Sequence, residues 1–512
     1  MTEEFPQGKM PYEPEPFWRE SAQLKSFPPL KIDTEVDVAI VGGGITGITT
    51  AYLLSKQGLK VAILEASEIL NGTTGHTTAK VTAQHGLIYD ELIQHMGEEN
   101  AKLYYQANID ALEFVRQTTN ELGIDCDLTE EDAYIYAISD HYEKKINKEL
   151  EAYQRLGIHS DYVNSIPFPI DIKGSIVMKS QGQYHPLKFL KVLVDEIVKS
   201  GGEIYEQTTA INIDETTPKP TIITRENRRV ACKYAIACSH FPFFDGKGFY
   251  FSRLHAERSY ILGVRAKMDF PGGMYYSADS PTRSLRYTPM NGEKLILVSG
   301  DGHKTGQGMS TYKHYKALEE FGEEVLGIEE IKYHWSAQDL YTLDKVPYIG
   351  SITSSKPNIL VATGYRKWGM TNGIAASKIL TDLVLEKENP YQDLYSPSRF
   401  YADPSIKKFL KQNLDVAGHL IEGKIDIADK SIQDIGNDEG SVVVVNGKRA
   451  GCYKDNEGNV NLVDTTCTHM GCEVEWNSGD RTWDCPCHGS RFSVTGDVVE
   501  GPAKKPLKKV DM

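Results

Sequence analysis

An α/β nucleotide-binding domain with strand-rich inserts, followed by a small all-β domain, is the architecture this sequence predicts. Three observations predict it. Near the N-terminus a short apolar strand runs into a glycine-rich turn, a helix, and a second strand that ends in an acid. Between about 245 and 331, runs such as S-Y-I-L-G-V and K-L-I-L-V-S-G follow one another without helical periodicity. From about residue 431 the chain becomes strand-rich, with S-V-V-V-V its clearest strand, and carries two short boxes of cysteine and histidine.

The first element is V-D-V-A-I-V at Val36–Val41, followed by Gly42-Gly43-Gly44-Ile45-Thr46-Gly47. Residues Ile48–Gly58 have helical spacing and a glycine stop, and L-K-V-A-I-L-E ends on Glu65. Gly42 permits the tight turn, Gly44 lets a pyrophosphate approach the backbone, and Gly47 lets helix and strand pack closely. Glu65 is placed to accept ribose hydroxyls. Ile45, Thr46 and Ala66 flank these positions and join the candidate contacts. G-x-G-x-x-G alone is a weak signal. Two strands and an acid at the right distance turn it into a Rossmann-type dinucleotide site rather than an accidental glycine turn.

The boxes at the other end read C-T-H-M-G-C (Cys467–Cys472) and C-P-C-H-G-S (Cys485–Ser490). Cys467 and Cys485 are thiolate candidates for one iron, and His469 and His488 are imidazole candidates for the other. That is the donor set of a Rieske [2Fe-2S] centre. The plainer alternatives are structural zinc or core cysteines, but zinc sites group their ligands as C-x₂₋₄-C pairs, and C-x-H with C-x-x-H does not. Both boxes resemble the Rieske domains of respiratory and photosynthetic cytochrome complexes, over roughly the last eighty residues. Gly501–Leu507 resembles that family's proline-containing loop, which shields the cluster. The resemblance places Ser490 as a hydrogen-bond donor to cluster sulfur. It puts Phe492 where the family has a tyrosine, which implies a potential below the high-potential respiratory type. Cys472 and Cys487 stand at offsets suited to a disulfide between the loops, and the sequence leaves open whether it forms.

Asn71–Lys80, N-G-T-T-G-H-T-T-A-K, resembles the second flavin-contacting loop of the D-amino-acid oxidase and sarcosine oxidase superfamily. Ala362–Leu380 resembles that superfamily's final strand, glycine turn and helix, and the segment ending T-L-D-K-V-P-Y-I-G at Gly350 resembles its D-x-x-P-x-I-G. The resemblance implies FAD, held by Gly72, Thr73, Thr74, His76, Thr77 and Thr78, by Ala210, Ile211, Ala237 and Ser239, and by Gly364, Trp368, Gly369, Met370 and Thr371. The final helix would point its positive end at the flavin. His76 and His85 stand either to contact the cofactor, even covalently, or as ordinary hydrogen-bonded histidines, the plainer reading. In the resembled fold the inserts form an antiparallel sheet that roofs the flavin as a substrate domain.

These marks divide the chain into an N-terminal extension (1–33) draped over the surface, an FAD-dependent oxidoreductase (34–386), a linker (387–430) and a Rieske domain (431–512). The FAD-binding parts are 34–84, 182–244 and 332–386, and the inserts are 85–181, mostly helical by pattern, and 245–331. The net charge of −15 argues against nucleic acid and anionic membranes as partners. The acidic, proline-rich start has no signal-peptide pattern, and no apolar run approaches the roughly twenty residues of a membrane helix. Among the eight cysteines, those outside the boxes are scattered without a disulfide framework, so a cytoplasmic protein without membrane insertion is expected.

A flavin takes electrons in pairs and a cluster one at a time, so the pairing makes chemical sense, and the resemblance implies an FAD-dependent enzyme that oxidises a C–N bond of a small-molecule amine or amino acid. It would exchange electrons with a redox partner protein or small acceptor through the cluster, in either direction. The resembled superfamily often binds a substrate carboxylate with arginine, whose guanidinium forks onto two oxygens, so the resemblance makes Arg258, Arg286 and Arg366 candidates. Tyr260, Tyr275 and Tyr287 are candidates to shape the pocket. The alternative is an electron-transfer flavo-iron-sulfur protein with no organic substrate of its own. A Rieske oxygenase is disfavoured, because no two histidines outside the boxes lie closer than nine positions and its H-x₄-H iron site is absent.

Overall fold

The computed structural model describes residues 10, 11, 14–308, 310–425 and 430–511. The expected strand–turn–helix–strand unit forms from Thr34–Val41, Ile45–Lys56 and Val61–Leu64. Thr34–Val41 is central in an eight-stranded sheet, parallel to Val61–Leu64 on one side and to Arg229–Ala237 on the other. Ile359–Thr363 extends the parallel order beyond Arg229–Ala237, and Tyr348–Ser351 closes that edge in antiparallel fashion. Helices Ile45–Lys56 and Gly369–Val384 pack together beside this sheet. Both have few exposed positions, as expected for helices enclosed by sheet and neighbours.

A second, nine-stranded sheet runs in the order Ile328–Thr342, Leu254–Ala266, Glu293–Lys304, Arg283–Met290, Met274–Ser277, Thr129–Ala137, Gly174–Gln183 and Lys80–Val81, with Ser160–Val163 paired to Gly174–Gln183. It is almost wholly antiparallel, as the resemblance implied. It also takes strands from parts assigned above to FAD binding: Lys80–Val81, the end of Gly174–Gln183, and Ile328–Thr342. The last of these pairs along its whole length with Leu254–Ala266, and continuous pairing decides membership where sequence marks do not. The first insert contains helices Tyr89–Leu122 and Asp140–Leu156, and also the strands at 129–137 and 160–163.

The N-terminal extension is not simply draped over the surface. Trp18 is fully buried and its indole donates to the Thr77 carbonyl at 2.7 Å, so the extension plugs the core beneath the flavin loop. In the linker, residues Ala402–Ile425 form a helix. The C-terminal domain has a three-stranded sheet (Glu439–Val445, Lys448–Lys454, Val460–Val463) and a four-stranded one (Glu475–Asn477, Thr482–Asp484, Arg491–Phe492, Val498–Glu500). Trp483, Val474 and Phe492 fill its core beside the four box cysteines. No described helix is long and apolar enough to cross a membrane.

Candidate functional site

The dinucleotide turn works as its glycines require. Gly42 has φ +109°, and a Cβ on it would sit 2.4 Å from the Cys238 carbonyl oxygen. A Cβ on Gly47 would sit 1.9 Å from the Gly42 oxygen, so this glycine sets helix–strand contact and does not line the cavity. The helix start at Gly44, Ile45 and Thr46 borders a cavity of about 380 Å³, and the Ile45 amide donates to Thr74 Oγ1 at 3.0 Å. Glu65 lines the same space, accepting from the Gly43 and Ser67 amides at 2.8 and 3.0 Å. Burial raises its pKa against those amides. A cleft with a glycine turn and helix start at one end and a buried acid beside it fits the pyrophosphate and ribose of FAD.

The cavity gathers residues far apart in sequence. Of the expected cofactor contacts, Gly42, Gly44, Ile45, Thr46, Glu65, Ala66, Gly72, Thr73, Thr74, His76, Thr77, Thr78, Ala210, Ser239, Gly364, Trp368, Gly369 and Met370 line it. Ile211, Ala237 and Thr371 do not. The Ile211 carbonyl accepts from Lys504, Ala237 lies inside the sheet, and Thr371 is hydrogen-bonded to His85 and the Thr82 carbonyl. His85 lies behind the wall, with Nδ1 on Tyr104 Oη (2.7 Å) and Nε2 on the Thr82 carbonyl (2.8 Å). It is a hydrogen-bonded histidine, as the plainer reading had it. His76 lines the cavity with Nδ1 on the Gly72 carbonyl at 3.0 Å.

The substrate-side candidates divide differently. Arg366 lines the cavity and donates to the His85 carbonyl at 3.1 Å. Arg258, Tyr260 and Arg286 do not line it, and strand alternation accounts for the first two. Ser259 and Ile261 face the cavity from Leu254–Ala266, which turns Arg258 and Tyr260 to the opposite face. There Arg258, 1% exposed, meets carboxylates of the C-terminal domain: Glu500 at 2.8 Å and Asp480 at 3.4 Å. Tyr260 hydrogen-bonds His303 at 2.9 Å. Arg286 is held by the Ala79 carbonyl and lies over the Trp18 ring. Tyr275 stacks on Tyr134 and Tyr287 donates to Glu131, both away from the cavity. The wall instead has Lys80, Tyr276, Ser284, Asp339 and Lys367, which the sequence did not single out. Burial first, then Arg286 and Lys367, hold the Lys80 ammonium down to about 7, and Lys80 donates to Ser284. Burial pushes Asp339 up to about 8.

In the C-terminal domain the two boxes face each other. Cys467 and Cys485 are buried free thiols in hydrogen-bond contact, and that contact draws Cys467 down to about 7. The rings of His469 and His488 stand 4.9 Å apart, nearly perpendicular. Burial keeps both imidazoles neutral, near 4, and their Nδ1 atoms are buried without a hydrogen-bond partner. Two thiols and two orphaned imidazole nitrogens fit the irons of a [2Fe-2S] centre. Cys472 and Cys487 form the disulfide left open above, with Sγ–Sγ of 2.15 Å. Ser490, fully buried, accepts from the Ala503 amide at 3.0 Å and lies in hydrogen-bond contact with Cys467. Phe492, also fully buried, has no hydroxyl to add.

The two sites meet. Phe241 lines the dinucleotide cavity, and its ring lies 6.2 Å from the His469 ring; Phe251 lies 5.9 Å from His488. Residues Val498–Lys504 of the C-terminal domain form part of the cavity wall.

Comparison with known proteins follows the same division. The family model for FAD dependent oxidoreductases matches residues 37–383, and that for the Rieske [2Fe-2S] domain matches 427–511. A Bacillus subtilis protein called Rieske 2Fe-2S iron-sulfur protein YhfW is 52% identical over 499 residues, covering 98% of each chain. The gamma-glutamylputrescine oxidoreductase of Escherichia coli is 23% identical, covering 70% of this chain and 85% of its own. Glycine oxidase from Geobacillus kaustophilus has a similar fold, with a TM-score of 0.62 at 18% identity over 72% of this chain and 100% of its own.

Proposed function

Because this chain belongs to the FAD dependent oxidoreductase family and ends in a Rieske [2Fe-2S] domain, we propose that it oxidises a C–N bond of an amine or amino acid and relays electrons between flavin and cluster. The observation that carries the relay is Phe241, which borders the dinucleotide cavity on one side and His469 on the other. Bound in these sites, FAD takes two electrons from a carbon next to nitrogen and the cluster carries them singly.

The chain's own residues prepare the cavity for such a substrate. Arg258 and Arg286 are engaged elsewhere, which leaves Lys80, Arg366 and Lys367 as the cations near the substrate end. Lys80 has no carboxylate partner and is steadied by Ser284, and the fraction of it that is protonated near neutral pH binds the substrate's carboxylate. Asp339 keeps its proton at neutral pH, so it does not repel that carboxylate. Neutral His469 and His488 are in the state that binds iron.

Anaerobic mixing with a panel of amines, amino acids and N-methyl compounds tests this. Flavin bleaching should be followed by the EPR signal of the reduced cluster. Bleaching without that signal refutes the relay; no bleaching with any compound favours the pure electron-transfer alternative. Lys80→Met should raise KM for carboxylate-bearing substrates by about tenfold to a hundredfold while leaving simple amines little changed. Equal losses for both classes would remove Lys80 from carboxylate binding.

A further inference from the structure

We propose that the flavin dinucleotide site is completed by the cluster domain, so that FAD retention and domain docking are one coupled equilibrium. This rests on reading the cavity as the FAD site. Neither half of the chain encloses that cavity alone: its wall includes both the glycine turn and Val498–Lys504. Lys504 Nζ donates to the Ile211 carbonyl at 2.9 Å, and Arg225, itself in the cavity wall, donates to the Lys504 carbonyl at 2.7 Å. These contacts stitch the loop to the hairpin Ala210–Asp214/Thr221–Thr224. One residue earlier, the Ala503 amide holds Ser490 on the cluster side. The loop therefore has one face on each cofactor site.

Docking is clasped by buried charge. Arg258 from the flavin half and Arg491 from the cluster half share Glu500 (2.8 and 3.1 Å) and Asp480 (3.4 and 3.0 Å). Removing one member would leave an unmatched buried charge, which is costly. The backbones also touch closely. A Cβ on Gly489 would sit 2.4 Å from the Ala256 side chain, and one on Gly306 would sit 2.6 Å from the Pro486 nitrogen. Little room exists for a loosely docked position. If docking closes the cavity, linkage requires FAD to strengthen docking by the factor by which docking tightens FAD.

The test is hydrogen exchange on the full-length, cluster-loaded protein, stripped of FAD and then reloaded. Protection gained at both 42–47 and 498–504 is the expected result. Gain at 42–47 alone overturns the shared site while leaving FAD in its cavity. Gain at neither overturns both readings. As a second measurement, Arg258→Gln should weaken FAD binding about tenfold or more in a flavin-fluorescence titration while the EPR signal of the dithionite-reduced cluster persists. Unchanged FAD affinity in that variant, with the clasp broken, refutes the coupling.

Discussion

In the cluster site all four candidate ligands come from two loops, with fifteen residues between His469 and Cys485, held within one small domain and tied by Cys472–Cys487. The dinucleotide cavity draws its wall from Val41 at one end of the sequence to Lys504 at the other. The candidate ligands of the first site all lie within one small domain. The second exists only when two sheets and a second domain are in place. A perturbation confined to the iron ligands should therefore stay local, whereas one at the cavity, or at the docking contacts Pro486 and Gly489, depends on how many distant segments it disturbs.

The sharpest division between the two comes from Cys485→Ser. It removes one of two thiolates, and complete loss of the cluster's EPR and visible absorption is expected while FAD stays bound; simultaneous loss of flavin would mean that the sites are not separable in this direction. Gly47→Val is the converse. Its side chain would be driven into the Gly42 carbonyl, so FAD binding should be lost and the flavin domain destabilised by on the order of 3 kcal/mol, with the cluster spectrum retained. Differential scanning calorimetry and EPR on one sample check both statements.

Glu500 tests the seam between them. Burial raises its pKa, but Arg258 and Arg491 outweigh burial and hold the carboxyl at about 2 against an ordinary 4.5. A depressed carboxyl contributes stability that is complete above about pH 4.5 and fades as pH falls towards 2. The contribution is on the order of 3 kcal/mol. The stability gap between wild type and Glu500→Gln should thus be widest near neutral pH and shrink between pH 5 and pH 2; a gap independent of pH would show that the clasp is not ionic. The smallest effect belongs to Ser490→Ala, which removes a hydroxyl beside Cys467. It should lower the cluster potential by about 60 mV, the equivalent of roughly one modest charge-assisted hydrogen bond. A potential that does not move in voltammetry would assign Ser490 to holding the Ala503 loop alone.

Legibility follows the same line. The glycine turn and the cysteine–histidine boxes were readable because their chemistry is written in contiguous residues: φ at Gly42, contact at Gly47, four donors at short spacing. Arg258 shows where such reading ends. Its residue type suited a substrate carboxylate, yet the register that pairs Arg258 with Gln338 and Ser259 with Ala337 puts the arginine on one face and the cavity on the other. Gln338 donates to the Gly489 carbonyl and Ser336 to Asp480 from that same outer face. Trp18 was equally hidden, because nothing near residue 18 announces that Thr77 will need a donor.

Sequence by itself determined which cofactors this chain can hold, since turn geometry and ligand chemistry are set by neighbouring residues. Tertiary structure alone decided that the strand pair 254–266 and 328–342 serves two masters, cavity on one face and cluster domain on the other. The reason is that alternation along a strand assigns side chains to two faces without saying what will cover either. That choice is made by partners hundreds of residues away, through pairing and burial that no local pattern encodes.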